Sequence, residues 1–423
     1  MAEYYLGLDF GTSGARSCLI DTAGQVVHEG RIAYVNPEGQ QPADWQRALF
    51  DLLVELPENA KSSLSAIAID GTSGTVLLAD GAGTPIGPAL LYSDNRAVVE
   101  AKEIETRSGP HAAASATSGL AKFLWLLKRP GTEQARHACH QADWLAGQLT
   151  GRFEVTDYHN ALKSGYDIEA LAWPDWMKSL PMASLLPAVL TPGETIGKLK
   201  PEMAQHFGLN PDCLVKAGTT DSIAAFMATG VKQPGKAVTS LGTTLVLKLL
   251  SETRVDALEY GVYSHKYGDL WLAGGASNTG GGVLKQYFDN DELARLSAEI
   301  DPRLPSGLDY YPLRVPGERF PVNDPELAPR MTPRPDNDAE FLHGLLEGIA
   351  GIEARGYRKL VDLGANRLHQ VSTAGGGAAN ETWRQIRQRY FDVRVSVAVH
   401  GDAAYGAARL AHSGTGALAN VSE

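Results

Sequence analysis

The strongest constraint on the fold is a pattern that occurs twice along the chain: an apolar, strand-like segment ends in a glycine-rich turn, and a second strand-like segment returns from that turn. The first copy covers residues 4–20, with its turn at 10–14, and the second covers residues 236–251, with its turn at 242–244. Glycine-containing turns between short apolar, β-prone runs are typical of β-hairpins. The repetition therefore predicts two related domains, each of which opens with a hairpin.

The length of the chain also predicts two domains. A chain of 423 residues exceeds the roughly 250–300 residues at which a single hydrophobic core stops growing. Pro and Gly interrupt the chain at 231–235, so we predict an N-terminal domain over residues 1–230 and a C-terminal domain over residues 231–423. The proline-rich stretch 302–336 is predicted to be an ordered surface excursion without strands. The segments with helical periodicity include 43–55, 112–129, 222–229, 338–360 and 380–391.

The charge balance and the cysteine content disfavour several classes of protein. The chain has 38 Lys and Arg residues against 49 Asp and Glu residues, a net charge of −11, which disfavours nucleic acid or an anionic membrane as a partner. Three distant cysteines without metal-ligand spacing are typical of reduced thiols. Because the sequence has no signal-peptide pattern and no long apolar run, we predict a soluble cytoplasmic protein. The sequence leaves the oligomeric state open.

The first glycine-rich turn combines a carboxylate with hydroxyl groups. Asp9 ends the strand-like segment, and Thr12 and Ser13 follow it between two glycines. Such a turn can present backbone N–H groups and hydroxyls to phosphate oxygens, while the carboxylate holds a hydrated Mg²⁺ ion. The alternative is an Asx-turn that binds no ligand. One turn of this kind does not decide between the two interpretations.

Two further glycine clusters indicate a nucleotide. Gly242 and Thr243 occupy the second turn, which lacks an acidic residue and so suits a different phosphate of the same nucleotide. Gly376, Gly377 and Asn380 lie between a strand-like run and a helical one, where glycines let an adenine or a ribose approach the backbone. The alternative for this last cluster is close packing of the helix against the strand.

Two polar turns in the first half provide candidates for a general base and for a substrate site. Asp221, followed by Ser222, stands where a strand-like run opens a helix. It can be a helix N-cap, or a general base that deprotonates a hydroxyl during phosphoryl transfer. The turn 70–74, which contains Ser73, is available to hold the hydroxyls of a polyol.

Two other pairs of residues in the first half are less specific. Lys122 has helical spacing to Trp125, and we interpret the pair as part of a packed helix whose lysine extends its charged end to solvent. Asp94 and Arg96 can form an ion pair in an exposed turn or contact a sugar, and the sequence leaves both possibilities open.

Taken together, these motifs resemble the FGGY carbohydrate kinases, and the resemblance extends over almost the whole chain. The motifs follow the family's order, so the set is far more specific than any single motif. The segments that carry it are Leu8–Arg16, Leu91–Arg96, Ala121–Trp125, Asp143–Leu145, Leu149–Gly151, Thr156–Ala161, Gly218–Asp221, Gly317–Arg319 with Asp324 and Pro325, Gly375–Asn380 and Tyr405–Ala408.

The resemblance implies an α/β protein with two ribonuclease H-like domains of the actin, hexokinase and Hsp70 superfamily and a ligand cleft between them. It implies a sugar bound mainly by the N-terminal domain and Mg-ATP bound mainly by the C-terminal domain. Asp221 falls on the family's catalytic base, and Asp9 falls on the acid that holds Mg²⁺ through water. The other matching positions are Thr12, Gly242 and Thr243 in the phosphate-binding turns and Gly376, Gly377 and Asn380 in the adenosine site.

The resemblance also bears on the sugar. Many xylulose-type members carry Met-His-Gly where this chain has the turn 70–74, so their sugar contacts there cannot be transferred. That turn, the modest length of the chain and the segment 219–226 look most like the family's short D-ribulose kinases. We therefore predict phosphorylation of D-ribulose at O5 by ATP. The predicted sugar contacts are Asp9, Ser13, Ser73, Asp221 and Ser222.

The sequence leaves alternatives to this prediction. A kinase for D-xylulose, another ketose or a polyol would differ only in the sugar pocket. A nucleotide-dependent regulator of the same build that has lost phosphoryl transfer belongs to another class. The presence of both Asp9 and Asp221 argues against it, because a regulator has no chemical need for the two carboxylates. A metal-dependent hydrolase with these two residues as ligands would leave the glycine-rich turns unexplained.

Overall fold

The computed structural model of the protein describes residues 3–418, which form two compact units. One unit contains the chain up to Ala228 together with the segment that begins at Asp402, and the other covers Thr229–Gly401. The predicted domains 1–230 and 231–423 differ from these units in two respects: residues 229–230 were assigned to the first domain, and the segment from Asp402 was assigned to the second. Residues 1–2 and 419–423 lie outside the described part of the chain.

The strands are spread over both units. In chain order they are β1 (Tyr4–Phe10), β2 (Gly14–Asp21), β3 (Val26–Ala33), β4 (Leu64–Gly71), β5 (Val76–Ala79), β6 (Pro85–Leu90), β7 (His137–His140), β8 (Val155–Asp157), β9 (Ala188–Leu190), β10 (Thr195–Lys198), β11 (Leu214–Thr220), β12 (Lys236–Leu241), β13 (Leu245–Ser251), β14 (Tyr263–Tyr267), β15 (Leu270–Ser277), β16 (Gln370–Ala374) and β17 (Arg394–Val397).

The α-helices alternate with these strands. They are α1 (Pro42–Val54), α2 (Glu58–Lys61), α3 (Val98–Ser108), α4 (Gly119–Leu127), α5 (Gln141–Thr150), α6 (Tyr158–Leu162), α7 (Pro201–Phe207), α8 (Asp221–Ala228), α9 (Gly281–Leu284), α10 (Asn290–Glu299), α11 (Asp338–Asp362), α12 (Glu381–Gln388) and α13 (Ala403–Ser413). Between residues 3 and 418, no helix combines the length and the apolar composition needed to cross a bilayer.

The first unit is built on a six-stranded sheet with the order β10-β11-β4-β1-β2-β3. β1 and β2 form the predicted hairpin, and β4 continues the sheet parallel to β1, with β11 parallel to β4. β1 is buried from Leu6 to Phe10, as expected for a central strand that is covered on both faces. The parallel arrangement brings the carboxyl ends of β1, β4 and β11 to one edge of the sheet.

The second unit repeats this arrangement in a sheet with the order β14-β15-β13-β12-β16-β17. β12 and β13 form an antiparallel hairpin, β16 lies parallel to β12, and β17 lies parallel to β16. The long helix α11 supplies much of the apolar core of this unit. The predicted repetition is thus confirmed, and with it the two-domain α/β fold.

The last helix belongs to the first unit because two glycines allow very close contacts with it. A Cβ atom added at Gly7 in β1 would lie 2.0 Å from the carbonyl oxygen of Ala404. A Cβ atom at Gly406 in α13 would lie 1.8 Å from the carbonyl oxygen of Ala224 in α8. Only glycine permits such approaches, and this three-dimensional requirement is not visible in the local sequence pattern that predicted the domain boundary.

The proline-rich stretch 302–336 contains no helix or extended strand, as predicted, and its only β-type pairings are two isolated bridges, Tyr311 with Arg330 and Glu318 with Asp324. It is not confined to the surface, however. Tyr310, Tyr311, Leu313 and Phe320 are buried in the core of the second unit. The excursion is therefore held in place by aromatic and apolar side chains as well as by proline stiffness.

Candidate functional site

Three carboxylates lie at the edge of the first sheet where β1, β4 and β11 end. Asp9 in β1 is directly opposite Asp70 in β4, and Thr219 in β11 is opposite Asp70 on the other side. Asp221 follows two residues later and begins α8. Asp9 is 6% exposed and Asp70 is fully buried, whereas Asp221 is half-buried. The register therefore concentrates negative charge at this edge, which we call the carboxylate edge.

Burial and neighbouring acids dominate the electrostatics of the carboxylate edge. Burial raises the pKa of Asp9 to about 6, against the lowering effect of a hydrogen bond from Asp70, and the charges of Asp221 and Asp402 raise the pKa further. The nearest guanidinium, Arg16, has its Nη1 atom 2.9 Å from Asp402 Oδ2 and 3.9 Å from Asp9 Oδ2. Two acids thus raise the pKa of Asp9, whereas this half-exposed cation lowers it.

The charged form of Asp70 is disfavoured in this arrangement. Burial, followed by the charge of Asp9, raises the pKa of Asp70 well above its usual range. Neither of its buried oxygens accepts a hydrogen bond from a donor group. The protonated form of Asp70, which can donate a hydrogen bond to Asp9, is therefore favoured. We noted the turn 70–74 in the sequence but assigned no role to Asp70, because its position beside Asp9 depends on the parallel pairing of β1 and β4.

A hydrated magnesium ion fits the carboxylate edge better than a fully protein-ligated metal. Among residues 3–418, no group of three or more His, Cys, Asp or Glu side chains is arranged to hold a metal ion directly. Mg²⁺ keeps several of its waters and is held by one or two carboxylates together with substrate phosphates. Asp9, which lies near the charges of Asp221 and Asp402, is the residue that could hold such an ion through water.

The hydroxyl-bearing turns on this unit have firmly held backbones and accessible side chains. In the first turn the N–H of Gly11 donates to the carbonyl of Gly14 over 3.0 Å, and the carbonyl of Thr12 accepts from Gln40 Nε2 over 2.7 Å. The side chains of Thr12 and Ser13 are exposed. This turn can therefore offer both hydroxyls to a ligand without a large rearrangement of the backbone.

Ser73 is presented in a similar way. It is half-buried, while Gly71, Thr72, Gly74 and Thr75 around it are buried. The hydroxyls of Thr72 and Thr75 are 2.6 Å apart and within hydrogen-bonding distance. Ser73 is thus the most accessible side chain of an otherwise fixed turn.

The N-terminus of α8 carries the candidate general base. The N–H of Ser222 donates to Asp221 Oδ1 over 2.6 Å, so the carboxylate is fixed at the first turn of the helix. Ser222 itself is exposed. The structure therefore brings Asp9 and Asp221 to the same sheet edge, and it leaves Ser222 accessible at the start of the adjoining helix.

In the second unit, all five residues predicted to bind the nucleotide beyond the first turn line one pocket of about 730 Å³. These residues are Gly242, Thr243, Gly376, Gly377 and Asn380. They come from two segments, the turn after β12 and the segment between β16 and α12. The pocket also has apolar walls, formed by Leu241, Leu284, Leu293, Ala294 and Trp383.

The two neighbouring glycines of this pocket have different roles. A Cβ atom at Gly377 would lie 2.7 Å from the ring of Trp383 and 2.8 Å from Leu241 Cβ. A Cβ atom at Gly376 would meet nothing within 4 Å. The packing alternative considered for this cluster therefore applies to Gly377, whereas Gly376 borders open space where a ligand can approach the backbone.

Asn380 connects the pocket to α12. Its Oδ1 atom accepts a hydrogen bond from the N–H of Trp383 over 2.9 Å, which caps the helix. Its Nδ2 atom donates to Ser297 Oγ, 2.8 Å away on α10. Asn380 therefore fixes the position of α12 relative to α10 across one side of the pocket.

A buried ion pair lies among the elements that carry the pocket. Arg387 in α12 makes two hydrogen bonds of 2.6 Å to the carboxylate of Glu353 in α11. It also donates to Thr373 Oγ1 in β16 over 2.6 Å, and Thr239 in β12 donates to Glu353 Oε1 over 2.5 Å. β12 and β16 lead directly into the turns that contain Gly242 and Gly376. No local sequence pattern predicts this network, because its members are far apart along the chain.

Comparison with known proteins also divides the chain into two domains, although it assigns residues 402–414 to the second one. Residues 4–228 match the model of the N-terminal domain of the FGGY family of carbohydrate kinases, and residues 237–414 match the model of its C-terminal domain. The xylulose kinase of Bacillus subtilis is 26% identical, in an alignment that covers 100% of this chain and 90% of that protein.

Solved structures show the same fold. The xylulose kinase from Rhodospirillum rubrum superposes with a TM-score of 0.82 at 22% identity, covering 98% of this chain and 90% of that one. The Plasmodium falciparum glycerol kinase, solved with ADP, superposes with a TM-score of 0.81 at 19% identity, covering 97% and 89% of the two chains.

Proposed function

Because the chain belongs to the FGGY family of carbohydrate kinases, we propose that it transfers the γ-phosphoryl group of ATP to O5 of D-ribulose. The observation that carries the proposal is the carboxylate edge, where Asp9 and Asp221 lie at the sheet edge from which β4 leads into the turn that contains the half-buried Ser73. The turn 70–74 supports the choice of sugar, since it replaces the Met-His-Gly motif of many xylulose-type members. The product is D-ribulose 5-phosphate.

In the proposed mechanism, Asp221 is the general base. It accepts the proton of the sugar's primary hydroxyl while the oxygen of that hydroxyl bonds to the γ-phosphorus and ADP leaves. Ser13, Ser73 and Ser222 orient the sugar through their hydroxyls. Asp9 would hold Mg²⁺ through water, and the ion would supply positive charge to the phosphates during transfer.

The pocket of the second unit is proposed to bind the nucleotide. Gly242 and Thr243, together with Thr12 of the first unit, are assigned to the phosphates, and Gly376, Gly377 and Asn380 are assigned to the adenosine. The apolar walls of the pocket suit the faces of a purine ring. The ADP in the glycerol kinase of the same fold supports a nucleotide as the ligand.

Asn380 allows a direct test of the nucleotide pocket. We expect Asn380→Ala to raise the KM for ATP and to lower the free energy of unfolding by about 1 kcal/mol, because the helix loses its cap. Asn380→Asp keeps an oxygen that can cap α12, so it should retain stability but still raise the KM for ATP through charge repulsion with the nucleotide. An unchanged KM for ATP in both variants would remove Asn380 from the nucleotide site.

D-xylulose is the second candidate substrate, and the 26% identical xylulose kinase of Bacillus subtilis favours it. Another ketose or a polyol would need changes in the sugar pocket alone. The regulator without phosphoryl transfer is less well supported, because both Asp9 and Asp221 are present and lie at the same sheet edge.

The deciding experiment measures ADP release from Mg-ATP with D-ribulose, L-ribulose, D-xylulose, L-xylulose, glycerol or no sugar, with the phosphorylated product identified by mass spectrometry. We expect the highest kcat/KM with D-ribulose. A higher value with another sugar would keep the kinase and replace its substrate. If ATP binds and none of the sugars stimulates ADP release, the favoured interpretation would become a kinase for an untested substrate or the regulator without phosphoryl transfer.

A further inference from the structure

Lys122, which the sequence led us to interpret as a lysine that reaches solvent, is completely buried in α4. Its Nζ atom donates hydrogen bonds to three backbone carbonyls: those of Gly74 over 2.9 Å, Leu91 over 2.6 Å and Tyr92 over 3.2 Å. The sequence interpretation was therefore wrong. The helical spacing to Trp125 showed where the side chain starts but not where its charged end lies.

The three carbonyls belong to two separate turns. Gly74 directly follows Ser73 in the turn after β4, and Leu91 and Tyr92 begin the turn after β6. A second bond joins the same turns, because the N–H of Tyr92 donates to Thr75 Oγ1 over 2.9 Å. The ammonium group of Lys122 thus cross-links the turn that presents Ser73 to the turn that begins at Leu91.

The geometry fits the charged form of the lysine. An ammonium group has three N–H bonds, one for each of the three carbonyls. Burial lowers the pKa of Lys122 to about 7, while the charge of Asp94 raises it and that of Lys163 lowers it. Asp94 belongs to the second turn, where it pairs with Arg96 at 2.7 Å, and Arg96 in turn stacks over the ring of Trp125.

The hydrogen bonds of Lys122 are made to the two turns and not to the strands of the sheet. Gly74, Leu91 and Tyr92 all lie outside the strands, since β4 ends at Gly71 and β6 ends at Leu90. The packing of α4 is supplied by neighbouring apolar residues, including Leu120, Phe123 and Leu124. Loss of the ammonium group should therefore loosen the two turns more than it disturbs the core.

We propose that Lys122 is a positioning residue for the sugar, which fixes the Ser73 turn and the turn at 91–96 and thereby sets the affinity for the sugar. The inference rests on the proposed function of the carboxylate edge. It is selective: Lys122 acts on the sugar side of the reaction and leaves the nucleotide pocket of the second unit and the general base unchanged.

The test compares Lys122→Met with Lys128→Met in the full-length protein. Methionine retains the unbranched, apolar stem of lysine and removes the three donors. Lys128, at the end of the same helix, binds Glu100 and Glu103 of α3, which belong to neither turn. With the sugar preferred by the wild-type protein, we expect Lys122→Met to raise the sugar KM about tenfold or more, with smaller changes in kcat and in the KM for ATP. Lys128→Met should leave all three values near those of the wild type.

A second variant covers the possibility that Lys122→Met does not fold. Thr75→Val removes the other bond between the two turns, and it should also raise the sugar KM. If both single variants fold, the double variant should raise the KM by less than the product of the two single effects, because they weaken one connection. An unchanged sugar KM in the folded Lys122→Met protein, or in Thr75→Val if the lysine variant fails to fold, would overturn the proposal.

Amide hydrogen exchange separates this inference from the proposed function, since it needs no substrate. In Lys122→Met, we expect faster exchange confined to residues 72–75 and 91–96. Faster exchange throughout the first unit would indicate a general structural role and contradict the proposal. A similar rise in the KM for the sugar and in the KM for ATP would do the same. If the wild-type protein phosphorylates none of the sugars while this confined exchange is still observed, the proposed function fails and the link between the turns remains.

Discussion

Replacement of Asp221 by asparagine should lower kcat for sugar phosphorylation by about 10²–10⁴-fold, the range that a positioned general base contributes. Asparagine has nearly the same shape and retains an oxygen for the hydrogen bond from the N–H of Ser222. It cannot take up the proton of the sugar hydroxyl, however. The proposed nucleotide pocket lies in the second unit, so ATP binding should remain close to that of the wild type. Steady-state kinetics and equilibrium binding of ATP measure the two effects separately.

Asp212→Asn is a suitable control for this experiment. Asp212 belongs to the same unit, but its carboxylate is exposed and pairs with Lys198 at 2.7 Å, so the substitution removes one negative charge without touching the carboxylate edge. We expect it to leave kcat essentially unchanged. If Asp221→Asn retained near-wild-type turnover, Asp221 would not be the base, and the assignment of the proton acceptor would have to move elsewhere on this edge.

Local patterns predicted the fold best where apolar periodicity coincides with clear helix boundaries. The predicted helix at 338–360 is observed as α11 at Asp338–Asp362, where Asn337 caps the first turn. The periodic stretch 112–129 was only partly helical, because α4 begins at Gly119 after a cap by Ser118. Periodicity alone could not reveal that cap, since residues 112–118 have the composition of a helix while forming turns.

The glycine turns were predicted more successfully than the polar contacts that support them. Gly242, Gly376 and Asn380 could be placed in turns because such turns require particular residue types within a short segment. Asp70 and Lys122 acquire their contacts from strand pairing and from helix placement. Those contacts join residues that are tens of positions apart, so no window of sequence contains both partners.

The buried pair Arg387–Glu353 is the extreme case, and it leads to the largest expected effect on stability. The side chains are 1% and 0% exposed. The hydrogen bonds of the pair join it to itself and to Thr239 and Thr373, all within the second unit. Arg387→Met would leave the Glu353 carboxylate buried without its cation. Removal of one partner from such a pair lowers the free energy of unfolding by about 3–5 kcal/mol. Because Thr239 and Thr373 bind the same pair, β12 and β16 should also lose alignment, and with them the turns of the nucleotide pocket.

Urea unfolding of the full-length protein, followed by tryptophan fluorescence, measures this loss, and the KM for ATP reports the pocket. The informative control is the double variant Glu353→Leu with Arg387→Met, in which both charges are gone and an apolar contact can replace them. It should recover much of the stability, since a buried ion pair is often replaceable by apolar residues of similar volume. If the double variant recovers stability but the KM for ATP remains high, the pair aligns the nucleotide turns through Thr239 and Thr373. Full stability in the single variant Arg387→Met would instead mean that water or a rearranged side chain compensates Glu353, and the expected dependence of the pocket on this pair would be wrong.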